Sequence, residues 1–134
     1  MGNWGPEKRS VMAGATDTLD IPCGGVATFY SRAVSLILGR YFAVAWKATS
    51  AAAVDLKLEY QMSDVLPAVE GDADANWFTP ESASDIDTSL TDENRHGNAL
   101  SPASFKYIRF KITGAGANAA GNTINIDLSM VEEA

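Results

Sequence analysis

The sequence predicts an all-β protein, an antiparallel β-sandwich of jelly-roll type, with a long acidic loop region and an N-terminal arm. Three observations predict it: runs in which apolar and polar residues alternate with period two, turn-forming links between them, and no 3.6-residue periodicity capped at both ends. The chain has 134 residues, enough for one domain with a single core, and 46% of them are hydrophobic. Residues 1–14 read as the arm and residues 15–134 as one sandwich domain.

The clearest strand is "AVDLKLEYQM". Val54, Leu56, Leu58, Tyr60 and Met62 point one way, and Asp55, Lys57, Glu59 and Gln61 the other. The run before it, "YFAVAWKA", is apolar on both faces, so it lies inside a sandwich or against another subunit. The link "TSAAA" is short enough for a hairpin between the two. Upstream, "DTLDIP" and "AVSLILG" are strand candidates separated by "CGGVATFYS".

Downstream, "KYIRFKIT" places Ile108, Phe110 and Ile112 on one face and Tyr107, Arg109 and Lys111 on the other. In "TINIDLSMV", Ile124, Ile126, Leu128 and Met130 alternate with Asn125, Asp127 and Ser129. The loop from Gly114 to Gly121 offers only backbone and Asn118, and the expectation is a hairpin forming a central pair of the sandwich.

Between Asp64 and Phe105 the character changes. Nine of the 17 acids fall there with one of the ten bases, Arg95, leaving eight acids and nine bases elsewhere. With Pro67, Pro80 and Pro102 it reads as extended connections, with one short strand around "NWFTP". Arg109, on the polar sheet face, is positioned to pair with an acid of this segment if the segment packs across the sheet.

The net charge of −7 argues against nucleic acid and against an anionic membrane surface as partner. No stretch approaches the ~20 apolar residues of a membrane helix, and the N-terminal "MGNWGPEKRSVMAG" lacks a signal-peptide core. The expectation is a protein made and kept in a cytoplasm, unless it is exported without a classical signal.

Catalytic and metal motifs are sparse. A thiol nucleophile would need Cys23 paired with the single histidine, His96, which sits in the polar "DENRHGN". One Cys and one His give no zinc spacing, no phosphate-binding loop leads into a helix, and GxSxG is absent. The reading is non-enzymatic, with no cofactor. Asp72 with Asp74, and Asp85 with Asp87, are weak oxygen-ligand candidates for calcium, set against a solvated acidic loop. Trp77 and Phe78 either anchor that loop at the end of the sandwich or present a ring to a ligand or interface. Trp4, in an arm with little apolar support, gains most by docking on another surface.

From "VDLKLEYQMSD" through "NWFTP" to "ALSPASFKYIRFKITGAGANAAGNTINIDLSMVEE", the chain resembles small β-sandwich structural proteins of tailed bacteriophages and prophages, which decorate or reinforce the virion. The resemblance spans roughly residues 53 to 133. It implies a capsid-decorating role, the major capsid protein or other virion proteins as partners, a virion location after synthesis in the host cytoplasm, and a homo-oligomer such as a trimer. On this reading Trp4, Lys8, Arg9, Tyr41 and Trp46 are the expected capsid or subunit contacts. "KYIRFKITG" also resembles the corresponding strand of discoidin-like jelly rolls, which implies a carbohydrate-binding alternative. A tail or baseplate accessory protein is a third.

Overall fold

The computed structural model describes residues 7–11, 19–36, 39–50, 52–65, 76–79, 85–100 and 106–132, with backbone alone for 7–11, 39–41, 85 and 130–132. Its strands are β1 (Glu7–Val11), β2 (Ile21–Pro22), β3 (Thr28–Tyr30), β4 (Val34–Ser35), β5 (Gly39–Thr49), β6 (Leu56–Ser63), β7 (Asp85–Leu90), β8 (His96–Leu100), β9 (Tyr107–Gly114) and β10 (Thr123–Glu132).

They form two antiparallel sheets packed face to face. One runs β1–β10–β5–β8, with β2 continuing beside β10 where β1 leaves off. The other runs β3–β9–β6–β7, with β4 continuing beside β9 below β3. Counting β1 with β2 and β3 with β4 as single interrupted strands gives eight strands in jelly-roll order. Consecutive strands then alternate between sheets except at β6 and β7, which pair with each other, and the last strand of the chain pairs with the first.

The alternation read from sequence fixes what lies between the sheets. Leu56, Leu58, Tyr60 and Met62 of β6 meet Ile124, Ile126 and Leu128 of β10, with Ile108, Phe110 and Ile112 of β9 fully enclosed. Burying an aliphatic side chain of this size stabilises by about 1.5–3 kcal/mol. This continuous apolar layer is the main attraction between the sheets.

Two expected hairpins are not hairpins. β9 pairs with β3, β4 and β6, whereas β10 pairs with β1, β2 and β5, so the link between them crosses from one sheet to the other. β5 and β6 are split in the same way. A strand with one apolar face satisfies that face equally beside its sequence neighbour or across a core about 10 Å thick, and the alternation looks the same in both cases.

The acidic region is not all connection, because it supplies β7 and β8, each at the edge of a sheet. The stretch expected as an arm likewise contributes β1, in register with β10 from Glu7↔Met130 to Val11↔Ile126. Of the "AVSLILG" run, Val34–Ser35 forms β4 and Gly39 opens β5.

The β9–β10 link is polar inside. Asn118 is buried and donates from Nδ2 to Cys23 O at 2.7 Å and to Gly25 O at 3.0 Å. Its Oδ1 accepts from Asp55 N–H at 3.2 Å and from Asn122 Nδ2 at 2.6 Å. Asn122 in turn donates to Ala53 O at 2.7 Å. Three crossovers between the sheets are thereby tied together at one end of the sandwich. Gly114 has no room for a side chain here, since a Cβ would lie 1.9 Å from Gly25 O. Gly25 itself sits at φ 75°, where a side chain is strained.

Candidate functional site

The outward face of the β1–β10–β5–β8 sheet carries a polar cleft of about 260 Å³. Its walls follow from strand register. Trp46 and Ile126 face each other in β5 and β10 and point into the core, so their neighbours Lys47 and Asn125, and Ala45 and Asp127, form paired rows on the outside. Gly97 of β8 lies opposite Ala45 and keeps the floor low.

Two loops close the sides. Arg95, in the turn between β7 and β8, places Nη2 3.3 Å from Asp127 Oδ2. Asp20, just before β2, accepts a 2.5 Å hydrogen bond from Asn125 Nδ2. With Lys47 and Thr49 the cleft presents two carboxylates, two cations, an amide and a hydroxyl, and its formal charges cancel. Apart from Arg95 and Gly97, none of these residues lies in the acidic segment on which sequence reasoning concentrated. The signal that could have found them is the pair of polar rows on "AVAWKA" and "TINIDLS", one from each strand, which meet only once the register is known.

The outward face of the other sheet is covered where Arg109 stands. Arg109 points away from the core yet is 1% exposed. Its guanidinium lies between two rings, 4.1 Å from the centre of Tyr30 and 4.6 Å from the centre of Trp77. Its Nε donates to Gln61 Oε1 at 2.9 Å, across the β6–β9 pair. Residues 76–79 are held there by a short antiparallel bridge, with Met62 N–H to Phe78 O at 3.0 Å and Phe78 N–H to Met62 O at 3.1 Å. Gln61 Nε2 adds a bond to Thr79 Oγ1 at 3.2 Å. Of the acidic segment, residues 76–79 pair beside β6 at the edge of this sheet, and from there the Trp77 ring reaches over Arg109. The short strand expected around "NWFTP" corresponds to this bridge.

The expected site residues fall in different places. Trp77 is 7% exposed and faces Arg109, so its ring is not an open platform. Phe78 is 38% exposed. Trp46 is 4% exposed, with Nε1 donating to Asp87 Oδ2 at 3.0 Å and its ring stacked on His96 at 6.0 Å. It belongs to the interior, the first of the two alternatives for its strand, and not to an outer contact face. Asp87 is engaged through its other oxygen too, by Ser89 N–H at 3.1 Å.

Lys8 and Arg9 lie in β1, Tyr41 in β5 and Asp85 in β7, with side chains outside the described residues. Trp4, Asp72 and Asp74 lie outside the described residues altogether. Among the described residues no three His, Cys, Asp or Glu side chains gather as a metal site.

Cys23 and His96 are separately committed. The Cys23 thiol is enclosed in the core, and burial pushes its pKa up to about 12, so it is almost entirely protonated near neutral pH. His96 Nε2 lies 2.7 Å from Asp92 Oδ1.

No protein-family model matches the chain, and no curated protein matches it. Among solved structures it is similar to a mitogen derived from Yersinia pseudotuberculosis, with 12% identity over 100% of this chain and 90% of that one. The TM-score is 0.33, too low to carry an argument about fold or function.

Proposed function

We propose that this protein is a non-enzymatic virion structural protein, a jelly roll that attaches to a bacteriophage head and stabilises it. The observation that carries the reading is the strand order, on which the described part of the residue pattern from 53 to 133 falls as β6 to β10 with the bridge at Phe78. Jelly rolls serve many functions, so the topology supports the reading through that pattern and not by itself. β1 adds a second support. It is an edge strand rich in charge, and among the described strands its outer backbone edge has no partner. A neighbouring subunit or capsid protein can extend the sheet there, with Lys8 and Arg9 beside the junction.

Attachment of this kind stabilises a particle by mass action on the assembled state. Purified protein should co-sediment with expanded, undecorated capsids encoded by the same genome and raise their resistance to heat. Absence of binding at micromolar concentration would refute the proposal. Electron microscopy of labelled particles separates this reading from a tail or baseplate location.

The carbohydrate-binding alternative draws no support from Trp77, which is covered. One observation does favour it, the open cleft beside Lys47 and Asp127.

A further inference from the structure

From the cleft between β5 and β10 we infer a binding site for a small neutral saccharide, at the scale of one sugar ring. It does not involve Trp77 or the attachment proposed above. Three properties of the cleft point to this ligand. Its volume of about 260 Å³ lies just under the ~300 Å³ at which sites for drug-sized ligands begin, which suits one ring and little more.

The second property is charge. Asp20 and Asp127 are balanced by Lys47 and Arg95, so a multiply charged anion or a bare cation meets as much repulsion as attraction. A neutral polyol does not, and each of its hydroxyls both donates and accepts.

The third is pre-orientation. Asp127 is held by Arg95 and Asp20 by Asn125, which fixes two acceptors at the rim at little further entropic cost. The Lys47 side chain makes no hydrogen bond or ion pair among the described residues, and its ammonium supplies a donor to the same space. The low floor of Ala45 and Gly97 lets a ring approach the sheet. It provides no aromatic stacking, so the site selects by hydroxyl geometry and binds weakly, with Kd on the order of millimolar.

The test is a titration of the isotopically labelled full chain with glucose, galactose, mannose and N-acetylglucosamine, followed by amide chemical shifts. At least one sugar should give saturable shifts at residues 45–47, 97 and 125–127. Lys47→Ala and Asp127→Asn should each weaken that response about tenfold while leaving the rest of the spectrum unchanged, as expected for outward side chains. No saturable response to any of the four sugars would overturn the inference. So would a response that persists undiminished in both variants, or one given equally by glycine, which would mark a site for zwitterions. Capsid co-sedimentation by the same two variants is expected to be unaffected, so failure here leaves the attachment proposal standing.

Discussion

The two outward faces of this sandwich use similar residues to opposite ends. On β9 and β6, Arg109 and Gln61 are covered by a returning loop, and the cation lies between Tyr30 and Trp77 out of contact with water. On β5 and β10, Lys47, Asn125 and Asp127 stand along an open cleft. Strand alternation makes both rows polar in the same way. What separates them is whether another part of the chain lies on top. A covered cation must be matched by its surroundings and becomes part of the stability of the fold, whereas an open row contributes little to stability and is available to a ligand.

Substitutions should break the symmetry between the faces. The largest effect is expected for Arg109→Ala. Losing two desolvated cation–π contacts and a charged hydrogen bond, and leaving a void under Trp77, should cost about 3 kcal/mol and lower Tm by roughly 10 °C. Arg109→Lys should recover only part of this, because an ammonium lacks the planar group that stacks between rings. On the open face, Asp127→Ala removes an ion pair with Arg95, whose side chain is 61% exposed, and should change stability by no more than about 1 kcal/mol in urea unfolding. Comparable losses from the two substitutions would contradict the contrast.

A smaller, pH-dependent effect belongs to the turn beside the cleft. The hydrogen bond with the His96 ring, then that from Asn94 N–H, hold the Asp92 carboxyl below its usual 3.8. The unfolded chain takes up this proton near 3.8 and the folded protein only at lower pH. The contribution to stability is therefore complete above 3.8 and is lost as pH falls through the folded value. Nuclear magnetic resonance titration of the Asp92 side chain should show its midpoint move up toward 3.8 in His96→Ala. An unchanged midpoint would mean that the bond does not form in solution.

Much of the fold was legible because β6, β9 and β10 each carry an unbroken alternation, and their apolar residues are the ones found in the core. Partners were less legible. The alternation of β9 and β10 is the same whether they pair in one sheet or face each other across two, and the link between them decides. That link looked chemically empty, yet Asn118 organises three crossovers, a role created by loops that are distant in sequence. β8, "HGNAL", escaped notice because an edge strand over a low floor needs few apolar side chains.

The sites divide in the same way. The aromatic pair Trp77 and Phe78 stood out in an acidic segment, and of its two readings the loop anchor describes Trp77, which anchors on the sheet face rather than at the end of the sandwich. The cleft was illegible because its residues come from four separate parts of the chain and share no motif.

The account turns on Arg109 being sealed from water by its own chain. Hydroxyl-radical footprinting of the free protein, read residue by residue, tests this most directly, since Trp77 and Phe78 are adjacent in sequence but are described as covered and exposed. Phe78 should be modified readily and Trp77 spared, although indole is intrinsically the more reactive ring, and Arg109→Ala should raise the modification of Trp77. Rapid oxidation of Trp77 in the unaltered protein, with no change on removing Arg109, would show that the face is open and that the contrast between the two sheets does not hold.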